Sequence, residues 1–182
     1  GQLRQPHRAG AARSRGLDVE VLERRAVGEQ LLQPPVVFGC YFLGVGYAVV
    51  RAAGGRCPVI AGAGSNSTRE TVRLVEAAKV AGADAALMVP PYYKRPSQEG
   101  IYQHFATLAK GAALPVILYN VPARTVTDIQ PATLIRMVGD FPDVFVGVKD
   151  ASGALARVSE HRIALGRDFA QLSGDRKSTR LN

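Results

Sequence analysis

From Pro58 onward, short apolar runs alternate with longer stretches whose apolar positions recur every three or four residues. The first pattern marks strands and the second amphipathic helices. Residues 58–62, 85–89, 115–120, 144–149 and 170–173 read as strands. Between the first two, Ser67 and Glu70 have the Ser-x-x-Glu spacing of a capping box. They open a helix with Val72, Val75 and Ala78 on one side, and Gly82 suits its C-terminal stop. Ser97 opens a second helix, with Ile101, Phe105 and Leu108 on one face. Pro131 fits the first turn of a third, which carries Leu134, Ile135 and Val138. Leu155, Val158 and Leu165 mark a fourth. Before Pro58 the pattern weakens. Residues 19–27 suit a short helix and the apolar run 36–50 a buried strand pair, but neither has a convincing cap or turn.

Strands apolar on both faces, alternating with helices, predict an α/β fold with a parallel sheet covered by helices. The connections are short and no Gly-x-Gly-x-x-Gly opens a helix, which favours a (β/α)8 TIM barrel over a doubly wound sheet. Gly62-Ala63-Gly64 reads either as a weak phosphate loop or as a tight βα turn. Such a barrel usually takes about 250 residues. The regular part, 58–174, is therefore a partial barrel, and one left partial would have open sheet edges and an exposed apolar interior.

Composition changes this picture little. The 182 residues are 47% hydrophobic and 21% charged, as in a globular domain. The net charge of +8 sits mostly at the ends: residues 1–57 carry +4, 175–182 carry +2, and the patterned 58–174 only +2. A basic stripe for nucleic acid is absent from the patterned part, so a basic binding module would have to rest on the arginines of 1–57. Cys40 and Cys57 offer neither a disulfide framework nor metal-ligand spacing. The run 36–50 is shorter than the ~20 apolar residues of a membrane span. A reducing compartment, the cytoplasm, is the default.

Chemistry in such folds collects at the C-terminal strand ends. There the sequence places Tyr92-Tyr93, Tyr119, Arg124, Lys149 and Ser173-Gly174. Lys149 ends an apolar strand. Burial disfavours an ammonium, so this lysine either snorkels to water or has a lowered pKa and serves as a nucleophile for a carbonyl. Strict alternation puts Phe145, Gly147 and Lys149 on one face and Val144, Val146 and Val148 on the other, with Gly147 leaving room beside the lysine stem. Tyr119 alternates with Ile117 as Lys149 does with Gly147, so phenol and amine can meet across the barrel mouth and pass protons. A strand-end tyrosine otherwise packs its ring with the hydroxyl in water. Arg124 suits bidentate binding of a carboxylate, or is a solvated loop arginine.

Five motifs extend these observations: Pro58-Val-Ile-Ala-Gly-Ala-Gly-Ser-Asn66, Pro90-Pro-Tyr-Tyr-Lys-Arg-Pro-Ser-Gln-Glu-Gly100, Leu118-Tyr-Asn-Val-Pro-Ala-Arg-Thr125, Gly147-Val-Lys-Asp-Ala-Ser-Gly153 and Leu172-Ser-Gly174. Through them, residues 56–174 resemble the dihydrodipicolinate synthase and N-acetylneuraminate lyase superfamily of class I, Schiff-base aldolases. The third to seventh barrel strands are the recognisable ones. The Tyr-Asn-Val-Pro-x-Arg-Thr motif resembles the synthase branch. The resemblance implies a lyase that condenses pyruvate with aspartate semialdehyde in lysine biosynthesis. It implies Lys149 as the Schiff-base residue, Tyr119 as its proton relay, and Tyr93 as a relay member reaching into a neighbouring subunit. Arg124 would hold the semialdehyde carboxylate, and Gly174 would pack its backbone on pyruvate. Asn66, Glu70 and Tyr92 match positions that form an allosteric lysine site in some members. No metal or organic cofactor is implied, because the lysine amine is itself the electron sink. A homotetramer is implied for the intact enzyme, with no nucleic-acid or membrane partner. The alternatives are another pyruvate-dependent aldolase of the superfamily or a non-catalytic fragment.

Two departures stand out. The family's Gly-Thr-Thr-Gly-Glu motif has no match in residues 1–57, and the Arg/Gly/Ala bias there, without lysine, suggests a shifted reading frame for 1–55. Residues 175–182 read as a translated adapter rather than native protein. The chain as written is therefore expected to be impaired.

Overall fold

Among the described residues, six parallel strands form one sheet, hydrogen-bonded in the order of the chain. The structure, a computed structural model, describes residues 37–39, 43–112 and 114–174. The elements are β1 (Val37–Gly39), α1 (Leu43–Ala53), β2 (Val59–Gly62), α2 (Thr68–Val80), β3 (Ala85–Met88), α3 (Gln98–Ala109) and β4 (Val116–Asn120). After these come α4 (Pro122–Thr125), α5 (Pro131–Asp140), β5 (Phe145–Asp150), α6 (Ala156–Leu165) and β6 (Ala170–Ser173). Every strand pairs with its predecessor, and at least one helix fills each crossover. That is the winding of a (β/α)8 barrel; a doubly wound sheet reverses its strand order. The fold is a partial TIM barrel. The expected helix over 19–27, Cys40 and the segment 175–182 lie outside the described residues.

Local signals act where the sequence places them. Ser67 Oγ accepts the Glu70 N–H at 3.5 Å and Ser97 Oγ accepts the Gly100 N–H at 3.2 Å, so each caps its helix. Gly82, just past α2, takes φ +87°, a left-handed conformation that glycine adopts without steric cost. Pro131 opens α5. The strands bury both faces. Outward, Val116, Leu118, Phe145 and Val148 pack with Ile101, Phe105, Leu108, Leu134 and Met137 from the helices. Inward, Ile60, Ala85, Ile117 and Ala170, with Leu87, Val146 and Leu172, make the barrel interior.

Three expectations change. The run 36–50 is not a strand pair: it supplies β1 and most of α1. Two consecutive strands joined by a short link would run antiparallel, whereas a parallel neighbour needs a crossover, here a helix. In β5 the alternation breaks. Val116 pairs with Phe145, but Ile117 pairs with Gly147, so Val146 is an extra residue, a β-bulge. Phe145 therefore packs outward, edge-to-face with Phe105 and Phe141, while Val146, Gly147 and Lys149 belong to the inner side. Finally, Leu155 and Val158 do not form the buried face of the last helix. They are exposed, and α6 turns His161 inward, with Leu165 packed against the outer core.

Candidate active site

Lys149 and Tyr119 are register partners on neighbouring strands, one residue from the C-terminal end of each. They meet side by side rather than across the barrel mouth. Lys149 Nζ stands 4.4 Å from the centroid of the Tyr119 ring, within the reach of a cation–π contact. The amine is half-buried, and desolvation lowers its pKa below the usual lysine value. An amine so placed is a better nucleophile at neutral pH than a solvated lysine, and a phenol lies beside it.

Gly147 is also required by the approach of β6. A Cβ there would stand 2.8 Å from the Ala170 carbonyl oxygen and 2.9 Å from Ala170 Cβ. The glycine lets β6 close onto the bulged strand. Gly174 follows β6, and its N–H donates to the Asp150 carbonyl at 2.7 Å. A Cβ on Gly174 would lie 2.6 Å from Ala151 Cβ, so bare backbone lines this side of the Lys149 strand end. Gly64 is a third close approach: a Cβ would come 2.7 Å from Val89 N, which favours the tight-turn reading of Gly62-Ala63-Gly64.

The other expected site residues come from the segments that follow β2, β3 and β4. Tyr93 takes φ 65°, is 81% exposed, and meets Tyr92 edge-to-face at 5.6 Å. Arg124 lies in the short helix α4 rather than in an open loop, and is exposed. Asn66 is half-buried in the turn before α2, Glu70 is exposed on the first turn of that helix, and Tyr92 is half-buried. Among the described residues, no group of three or more His, Cys, Asp or Glu is placed to hold a metal ion, and no helix is long and apolar enough to cross a membrane.

One cluster behind the site goes beyond the expected residues. Asn120 and Asp150, the chain neighbours of Tyr119 and Lys149, are themselves register partners. They join Asp128 and Arg157, whose guanidinium grips the Asp128 carboxylate through two hydrogen bonds of 2.7 and 2.6 Å. The signal in the sequence was adjacency: polar residues directly after Tyr119 and Lys149. Nothing in the spacing ties Asp128 to Arg157.

Comparisons with known proteins point to one family. The model of the dihydrodipicolinate synthetase family matches residues 45–181. A 4-hydroxy-tetrahydrodipicolinate synthase of Mesorhizobium japonicum is 55% identical over 126 residues, covering 69% of this chain and 43% of the relative. The chain thus spans less than half the length of that relative. Among solved structures, the 4-hydroxy-tetrahydrodipicolinate synthase of Methylacidiphilum fumariolicum superposes with a TM-score of 0.73 at 35% identity, covering 87% of this chain and 56% of that one. The chloride-inhibited dihydrodipicolinate synthase of Acinetobacter baumannii, in complex with pyruvate, gives 0.72 at 40% identity, covering 87% and 58%. The matched family model covers well over half of this chain, and the chain belongs to the dihydrodipicolinate synthetase family.

Proposed function

We propose that the protein is a Schiff-base lyase, a 4-hydroxy-tetrahydrodipicolinate synthase, condensing pyruvate with aspartate semialdehyde. The carrying observation is Lys149, with its lowered pKa, 4.4 Å from the Tyr119 ring at paired strand ends. In this reading the unprotonated amine attacks the keto carbon of pyruvate. The resulting carbinolamine loses water, leaving a protonated imine. Loss of a methyl proton then gives an enamine, whose carbon attacks the aldehyde of the second substrate. Tyr119 exchanges protons with the carbinolamine oxygen and the new alkoxide. Gly174 presents backbone to pyruvate, and Arg124 receives the semialdehyde carboxylate. Tyr93, exposed and held at positive φ, suits donation to a neighbouring subunit, as the relay of a homotetramer requires. Asn66, Glu70 and Tyr92 form the lysine-responsive surface. The enzyme acts in the cytoplasm, on small molecules alone.

The test is to incubate the protein with pyruvate, reduce with borohydride and sequence the modified peptide by mass spectrometry. A pyruvyl adduct on Lys149 is expected, lost in Lys149→Ala and formed more slowly in Tyr119→Phe. A folded sample that reacts at no lysine, or equally at many, overturns the reading.

A further inference from the structure

Directly behind the lysine–tyrosine pair lies a polar cluster that the proposed chemistry does not use. Asn120 and Asp150 point to the outer side of the sheet, where polar groups are costly unless partnered. Asn120 is 1% exposed and fully engaged. Its Nδ2 donates to Asp128 Oδ1 at 2.9 Å and to Asp150 Oδ2 at 3.4 Å, and its Oδ1 accepts the Ile129 N–H at 3.0 Å. Arg157, from α6, donates Nη1 to Asp128 Oδ1 at 2.7 Å and Nη2 to Asp128 Oδ2 at 2.6 Å. Nη1 also reaches the Ile129 carbonyl at 3.3 Å and stands 3.9 Å from Asp150 Oδ2. Asp150 Oδ1 accepts the Ser152 N–H at 2.7 Å. One cluster thus joins the tips of β4 and β5, the segment before α5, and α6.

We propose that Asp128 and Arg157 are positioning residues which, through Asn120 and Asp150, set the height of one strand tip against the other and so hold the Tyr119 ring at the Lys149 amine. This rests on the Schiff-base reading for its consequence, not for its geometry. Neighbouring residues on a strand are about 3.3 Å apart, so a small slip between the two tips would separate ring and amine. A misplacement of about 1 Å at reacting groups can cost about a hundredfold in rate. The surface pair Arg136–Glu99 provides a contrast: it is just as short, 2.6 Å, but half-exposed and links α3 to α5 away from these tips.

The experiment follows Lys149 without substrate. The full chain is trace-labelled with acetic anhydride across pH, and the Lys149 peptide is quantified by mass spectrometry. In parallel, pyruvate trapping is timed at several pyruvate concentrations. Wild type, Asp128→Asn, Arg157→Met, Arg157→Lys and the control Arg136→Met are compared, with folding checked by circular dichroism. In Asp128→Asn and Arg157→Met, the Lys149 titration should move toward that of an ordinary lysine. Each unit of movement lowers labelling at neutral pH about tenfold. The maximal trapping rate should fall more than the half-saturating pyruvate concentration rises. Arg157→Lys should be intermediate, and Arg136→Met like wild type. Folded variants that label as wild type does overturn the proposal, whatever pyruvate does. A wild type that labels anomalously but traps no pyruvate sinks the aldolase reading instead, while the labelling comparison still decides the positioning role. If the neutral variants unfold, Arg157→Lys decides: a wild-type profile refutes the proposal.

Discussion

At the scale of single residues, two side-chain choices in β5 work against each other. Gly147 allows β6 to approach, and Lys149 resists desolvation beside it. Gly147→Ala places a methyl against Ala170 backbone, which cannot swing away, so overpacking should cost about 1–3 kcal/mol, measured by urea unfolding. A neutral effect would show that β6 moves freely. Lys149 predicts a pH dependence of the opposite kind. Its folded pKa lies below the unfolded value, so the unfolded chain binds more protons between the two. Stability attributable to this residue therefore rises as pH climbs through that interval, and the penalty is complete below it. Lys149→Met, which keeps the stem and removes the charge, should stabilise the protein at neutral pH, with a gain that shrinks toward the ordinary lysine pKa. Water still reaches the amine, which keeps the gain small. A gain constant with pH would assign the effect to packing alone.

At the scale of elements, α3 and α6 test how burial decides stability. Phe105 on α3 is fully buried, so Phe105→Ala should cost about 3–5 kcal/mol. Leu155 and Val158 are 67% and 49% exposed, and Leu155→Ser or Val158→Ser should change stability by no more than about 0.5 kcal/mol. Denaturant midpoints for the three variants check the contrast, and a large loss at Leu155 would mean that its face is covered. The same contrast explains what was legible beforehand. The Ser67 and Ser97 caps, the Pro131 start and the face holding Ile101, Phe105 and Leu108 follow from local chemistry, and the structure keeps them. Lys149 and Tyr119 were legible because strand ends and period two place them before any packing is known. The bulge at Val146 was not, because it arises from fitting β5 between β4 and β6, and Val-Phe-Val-Gly-Val alternates acceptably without it. The inward face of α6 was hidden for a related reason: it carries a polar residue, the buried His161, and Arg157 turns in to Asp128, a partner remote in sequence. The run 36–50 misled because apolarity alone does not separate a short helix from strands.

At the scale of the molecule, titration of buried groups divides the acid response into two windows. His104 on α3 is 5% exposed; its Nδ1 sits 2.8 Å from Thr68 Oγ1 and its Nε2 is buried with no hydrogen-bond partner. Burial lowers its pKa to about 4. The unfolded histidine titrates near 6.5, so the unfolded chain binds the extra proton first as pH falls. Stability should therefore fall between about pH 6.5 and 4, by up to about 3 kcal/mol from this residue, and this contribution should then level off. His161, also desolvated, works in the same direction. Asp128 acts lower on the scale. The Arg157 hydrogen bonds hold its pKa below the usual carboxylate value, so its contribution persists until pH drops through the carboxylate range. Urea unfolding of wild type, His104→Asn and Arg157→Met from pH 7 to pH 3 separates the two. His104→Asn should lose less stability than wild type between pH 6.5 and 4, then run parallel to it. Arg157→Met should follow wild type down to about pH 4 and flatten below, because the pair that distinguished folded from unfolded Asp128 is gone. Parallel curves for wild type and His104→Asn through the upper window would mean that the imidazole is hydrated in the folded state, and that the helix layer over β3 and β4 admits water.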